Sequence, residues 1–331
     1  MFLLLLPFSF LYGFVGFVRN FCYDSSMLPA YQSSLPVISV GNIAVGGTGK
    51  TPVVDWLVKE YLKQGKHPAV VSRGYSGSYK EDVGIVSAGD GLLMTASECG
   101  DEPYLLAQRN PHCRVVVARK RVDGIKTVEA SGVVDLILLD DGFQHRAVKR
   151  NVDLVLLDSN RPLGNGWPLP AGHLREFPKA LQRADFLLMT RAEKMKSATF
   201  MDRSAFTSHH VLSDIVTSLE GNQQSVNHLK NLKLLAFAGI AKPESFFASL
   251  VDIGLVPHKQ LAFADHSDYQ EDVLEHIRKA AASADALITT EKDGVKLVAD
   301  MFELPCYQIG MDIKIDNSDI LLKNLSRKIW S

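Results

Sequence analysis

The stretch VISVGNIAVGGTGKTP, residues 37–52, decides the fold. A β-branched run leads into Gly46, Gly47, Thr48, Gly49, Lys50 and Thr51, after which Pro52 opens a helix. Glycines in such a turn let backbone N–H groups close around phosphate oxygens that a Cβ would hold off, and the helix N-terminus adds partial positive charge. A lysine and a hydroxyl at the end of the loop are placed to reach a β/γ-phosphate pair and its Mg²⁺. The general pattern G-x-x-x-x-G-K-[ST] asks for glycine at position 44, where this chain has Ala44. Strand before, glycines within and helix after still read as a phosphate loop.

Outward from it, AVVS (69–72), RVVVA (114–118), DLILLD (135–140), DLVLLD (153–158) and DFLLMT (185–190) are near-continuous apolar runs, as strands covered on both faces should be. Between them, residues 52–64 put Val54, Leu57, Val58 and Tyr61 on one helical face, and 103–110 and 120–130 behave alike. The alternation predicts a mostly parallel, doubly wound sheet between helices. LLAFAGI (234–240), ALITT (286–290) and helices near 243–253 and 270–283 form a second, smaller α/β unit. The segment 191–232 is polar and irregular apart from VLSDIVTSL (211–219), which places the domain change within it. The expected division is an apolar helix over 1–20, a phosphate-loop domain over 21–208 and a smaller domain over 209–331.

The chain's 331 residues exceed one typical domain, and 46% hydrophobic residues suffice to fill two cores. Lys plus Arg at 36 against 37 acids gives a net charge of -1, which argues against a nucleic-acid binder. Four cysteines without a C-x-x-C pair argue against a disulfide framework or zinc site. Residues 1–18, MFLLLLPFSFLYGFVGFV, carry no charge before Arg19. The run lacks the leading positive charge and small-residue site of a secretory signal. An interfacial helix, a full span and a helix packed on the protein's own surface remain, in that order.

A phosphate loop needs an acid at the end of a neighbouring strand. Asp140 and Asp141, followed by Gly-Phe-Gln-His, are the first candidates, and Asp158 reads instead as a cap on the next loop. A guanine-reading N-K-x-D is absent, TEKD (290–293) matching it only superficially, so adenine is the expected base. Arg73 and Arg119 follow strands and could meet phosphates, whereas Lys120 and Arg121 read as solvated charge. Asp101 by itself reads as a helix-capping acid, and His145 and His266 as ordinary structural histidines.

Taken together, GNIAVGGTGKTP, SRGY (72–75), GDEPYLLA (100–107), DDGFQH (140–145), GHLRE (172–176), DH (265–266) and TTEKDGVK (289–296) closely resemble the tetraacyldisaccharide 4'-kinases of lipid A biosynthesis, in which an alanine at the position of Ala44 is itself typical. The resemblance spans nearly the whole chain. It implies two α/β/α lobes joined by a two-stranded linker, on the cytoplasmic face of the bacterial inner membrane. It implies transfer of the γ-phosphoryl of ATP, with Mg²⁺, to the 4'-hydroxyl of a tetraacylated glucosamine disaccharide 1-phosphate, with no obligate protein partner. By that resemblance Asp101 is the base and His266 its partner, Thr51, Asp140, Asp141 and Glu176 are metal-site residues, and His145 and Arg175 belong to the active site. The chain has LREF (174–177) where the family often has LREP, moving the proline to Pro178. A membrane-associated ATPase driving transport, and a nucleotide-binding scaffold without turnover, are the rival classes. Neither needs an acceptor base.

Overall fold

The computed structural model describes residues 2–75, 77–192, 198–265 and 267–330. The chain divides into two units, Met1–His209 together with Ile313–Ser331, and His210–Asp312. The first contains α1 (Phe2–Asp24), β1 (Val37–Asn42), α2 (Lys50–Lys63), β2 (Pro68–Ser72), β3 (Val83–Ala88), α3 (Ala96–Cys99), α4 (Asp101–Arg109), β4 (Arg114–Ala118), α5 (Arg121–Ala130), β5 (Leu136–Asp140), β6 (Val152–Asp158), β7 (Phe186–Thr190) and β8 (Ala198–Phe200). β9 (Arg203–Ser218) begins in this unit and carries the chain into the second.

Strand order in the first unit is β3-β4-β2-β5-β1-β6-β7, with the start of β9 beside β7; along this path the strands are parallel except for the edge strand β3, and the short β8 pairs antiparallel with β9. The near-continuous apolar runs follow from burial on both faces. Ile38 and Val40 pack with Val54, Leu57 and Tyr61 of α2, while Val37, just before them and on the opposite face of the strand, packs with Ile125 and Val128 of α5.

The second unit contains β10 (Gln223–Ser225), β11 (Leu234–Ala238), α6 (Pro243–Asp252), β12 (Lys259–Ala262), α7 (Glu271–Ala280), β13 (Ala286–Thr290), α8 (Glu291–Gly294) and most of β14 (Cys306–Ile315). β12, β11, β13 and β14 are adjacent in that order and parallel. TEKD has a structural task here. Thr290 Oγ1 accepts from the Asp293 backbone N–H at 3.1 Å, and the buried Asp293 carboxylate accepts from Gly239 N–H at 3.1 Å, fixing the turn after β11.

Three expectations change. The stretch 191–232 holds the 16-residue strand β9, whose half-buried pattern escaped a search for continuous apolar runs. Residues 313–331 belong to the first unit rather than to a C-terminal block 209–331. They carry α9 (Ser318–Ile329), whose Leu321, Leu325 and Ile329, spaced i, i+4, i+8, are buried in the core shared with α2. Finally, α2 starts at Lys50, so Pro52 is its third residue, where a missing N–H is still harmless.

Candidate active site

β1 lies between β5 and β6, so its carboxyl end is the switch point at which a doubly wound sheet opens a crevice. The phosphate loop leaves β1 there. Gly46 and Gly49 turn with φ of 106° and 80°, which side chains resist, and Gly49 caps α2. Asn42 Nδ2 donates to Thr48 Oγ1 at 2.8 Å, Thr190 Oγ1 donates to the Thr48 carbonyl at 3.1 Å, and Arg191 Nη2 donates to the Gly47 carbonyl at 2.8 Å. The loop is held from outside, with its N–H groups left for an anion.

Strand register decides between the acids. Asp140 ends β5 opposite Val40, beside the loop. Asp158 ends β6 but is engaged by the Arg191 guanidinium and by the Asn160 N–H at 3.0 Å. Asp141, at φ 52°, turns out of the strand in the left-handed region that Asp tolerates. Its carboxylate meets Lys50 Nζ at 3.6 Å and accepts from Arg175 Nη1 at 2.8 and 2.9 Å. Burial pushes the Asp141 pKa up, but Lys50, Arg175 and Arg121 outweigh it and the carboxyl sits below its ordinary value. Asp140 goes the other way. Burial, with Glu102 and Asp141 adding negative charge, raises it to about 6 against the pull of Lys50 and a 3.0 Å hydrogen bond from Ser72 Oγ.

Asp140 Oδ1 is buried without a hydrogen-bond partner among the described residues. A buried acceptor at a phosphate site fits a hard cation or its bound water. No group of three or more His, Cys, Asp and Glu side chains able to hold a metal occurs among the described residues. Mg²⁺ is commonly held by one or two carboxylates plus substrate phosphates, a donor set of the kind that Asp140 and Asp141 offer.

Thr51 is the second residue of α2, beside Lys50. His145 lies in the loop after Asp141, where burial and then Arg121, Arg150, Arg19 and Arg73 lower its pKa to about 4. It is neutral near pH 7. Asp101 is the first residue of α4 and is buried, and Gly100 rather than Asp101 occupies the cap position, so the capping reading fails. Arg73 and Arg119 line one cleft of about 500 Å³ with Tyr75, Tyr79 and Glu98. Glu176 is turned elsewhere. Arg183 meets its carboxylate at 3.1 Å and Asn20 Nδ2 donates to Oε2 at 2.5 Å. His266 lies outside the described residues.

Sequence reasoning missed Arg121, which is buried, not solvated, with Nη2 3.5 Å from the Asp140 carbonyl. It also passed over Asn42, Gln144 as the partner of Arg175, and Ser72 as the donor to Asp140. Parallel register was the available signal for Ser72, since Val71 pairs with Leu139 one step earlier.

The doubly wound sheet, the glycine loop opening α2 and the lysine facing strand-end acids define a P-loop phosphate-binding protein. The chain belongs, more narrowly, to the tetraacyldisaccharide-1-P 4'-kinase (LpxK) family, whose model matches residues 1–329. It is 43% identical over 326 residues to the tetraacyldisaccharide 4'-kinase of Syntrophotalea carbinolica, covering 98% of this chain and 91% of that one. The Geobacter sulfurreducens enzyme of the same name is 41% identical over 307 residues, covering 92% of this chain and 87% of its own. A crystal structure of the "apo" form of LpxK from Aquifex aeolicus in complex with ATP superposes with a TM-score of 0.83 at 31% identity, covering 98% of both chains.

Proposed function

We propose that this protein is a tetraacyldisaccharide 4'-kinase, transferring the γ-phosphoryl of ATP to the 4'-hydroxyl of a tetraacylated glucosamine disaccharide 1-phosphate. The observation that carries this reading is the family match over residues 1–329 on a chain whose phosphate loop faces Asp140, Asp141 and Arg175. Phosphoryl transfer asks a protein to position groups and to stabilise charge on the moving phosphoryl. Lys50 and the loop N–H groups from Gly46 to Thr51 hold the β/γ-phosphates, and Arg175, paired with Asp141 in this structure, stabilises charge on the transferred group. Thr51, Asp140 and Asp141 are the residues that would hold magnesium. Glu176 joins them only on giving up Asn20 or Arg183. Bound Mg²⁺ supplies neutralisation of charge on the phosphate oxygens.

Asp101 takes the proton of the acceptor hydroxyl, with His266 its candidate partner by resemblance. His145 stays neutral and acts as a hydrogen-bonding group, not a base. Arg73 and Arg119 bind phosphate on the acceptor or on ATP. α1 has the length and apolarity to cross a membrane, with mean hydropathy 1.8 in its most apolar window. It keeps the enzyme at the cytoplasmic face of the inner membrane, where the acylated substrate resides.

The test is transfer of label from γ-labelled ATP to purified tetraacyldisaccharide 1-phosphate in detergent micelles. A labelled lipid product is expected. ATP hydrolysis with no labelled lipid would favour the transport ATPase, and neither product would favour a scaffold.

A further inference from the structure

The buried residues of α1 are its polar and small ones. Ser9, Gly13 and Asn20 are buried, while Leu3, Leu4, Phe8, Leu11 and Val15 are 60–77% exposed. Spacings of four and seven put the three on one stripe. A helix arranged this way presents its apolar surface outward and packs on the protein through close approach and hydrogen bonds, as helices in lipid do.

What this inner stripe touches is the segment that carries Arg175. Ser9 Oγ accepts from the Ala171 N–H at 2.7 Å. Gly13 lies against the Phe177 ring, which a Cβ there would strike, and Phe10 meets the same ring edge-on at 6.2 Å. Phe177 is the residue at which this chain departs from LREP. Asn20, 8% exposed, donates to Glu176, which is 3% exposed. The segment in turn pairs with the approach to the phosphate loop. Arg175 N–H donates to the Ile43 carbonyl at 2.7 Å, and Val45 N–H donates to the His173 carbonyl at 2.8 Å. The end of α1 also holds the loop after Asp141, through Arg19 to the Gln144 carbonyl at 3.3 Å and Asp24 to Arg146 at 2.6 Å.

We propose that Asn20 is a positioning residue: by holding Glu176 it fixes the segment bearing Arg175 against the phosphate loop, so that the seating of the apolar helix sets the geometry of the phosphate site. The kinetic side of this inference rests on the kinase reading, while its structural side stands without it. A helix serving only as an anchor needs no buried amide and tolerates a side chain at Gly13. Here the two faces of α1 have separate tasks, and substitutions can separate them.

The experiment compares full-length wild type, Asn20→Ala, Asn20→Asp and the outer-face control Leu11→Ser in micelles. Amide hydrogen exchange is followed at Val45 and Arg175, beside kcat for lipid and binding to vesicles of anionic phospholipid. Losing a hydrogen bond to a buried carboxylate should speed exchange at Val45 and Arg175 about tenfold or more. In Asn20→Ala, kcat should fall by a similar factor with vesicle binding unchanged. Asn20→Asp, which sets a second carboxylate against Glu176, should do worse. Leu11→Ser should weaken vesicle binding and leave exchange and micellar kcat alone. Wild-type exchange in folded Asn20→Ala, or equal loss of kcat in Leu11→Ser, overturns the proposal. If wild type labels no lipid, the kinase reading fails, and exchange alone decides whether Asn20 positions the segment.

Discussion

The surroundings of Asp140 oppose its charge, and its behaviour with pH follows from that. Its folded pKa of about 6 lies above the ordinary 3.8, so the folded state holds the proton more tightly than the unfolded chain does. Stability from this group therefore falls as pH rises from 3.8 to about 6, and the full cost of the bare buried carboxylate persists above that window. Mg²⁺ with ATP offsets this cost only where the carboxylate is ionised. The rise in Tm on adding both should be larger above pH ~7 than below pH ~5, and Asp140→Asn should flatten the difference. His145, already neutral above about pH 4, should contribute nothing to that change, so His145→Gln should keep it. Lys50→Ala and Asp141→Ala should lose about 10²-fold or more in kcat, as expected when one strong electrostatic contact at the transferred group is removed. A folded Asp141→Ala with near-normal kcat would leave Asp140 as the acid that matters.

At the scale of elements, α1 is the segment whose two faces can be tested against each other. Substituting the exposed Leu4, Leu11 and Val15 by Ser should release the enzyme from vesicles and raise KM for lipid in bilayers, with KM for ATP unchanged. Deleting residues 1–18 removes the Ser9 and Gly13 seats as well, so it should also lower kcat in micelles, where membrane binding no longer counts. Equal effects of the two changes would mean that the helix acts through the membrane alone. The apolar character of α1 was plain in the sequence, but its inner face was not. Ser9, Gly13 and Asn20 look like interruptions of a membrane segment until their partners at Ala171, Phe177 and Glu176 are known. The strands around the phosphate loop were legible because burial on both faces writes itself as an unbroken apolar run. β9, half buried along its length, and β3, at an edge, leave no such trace. Lys50, Asp140 and Asp141 were readable because strand, loop and helix appear as consecutive letters. Arg121 was not, because a basic residue opening a helix looks the same whether it faces water or a buried carboxylate.

For the whole molecule, the return of residues 313–331 to the first unit carries the main consequence. The spacing of Leu321, Leu325 and Ile329 shows which face of α9 is buried, not which core receives it. That core is the one beneath the phosphate loop. Leu325→Ala should cost about 2–5 kcal/mol and lower Tm accordingly, with reduced ATP binding at the temperature where the first unit opens. A fragment of residues 1–209 should be unfolded or molten by circular dichroism and near-ultraviolet signal, and addition of a peptide covering 313–331 should restore part of the fold. A cooperative melt by 1–209 alone would show that α9 is dispensable. The same connectivity governs biosynthesis. A ribosome must translate the whole of His210–Asp312 before it makes the helix that closes the earlier core. The nascent phosphate-loop unit therefore stays open along the α9 groove for that entire interval. In those moments it is exposed to chaperones and proteases, while α1 has already emerged with an apolar face that can meet the bilayer.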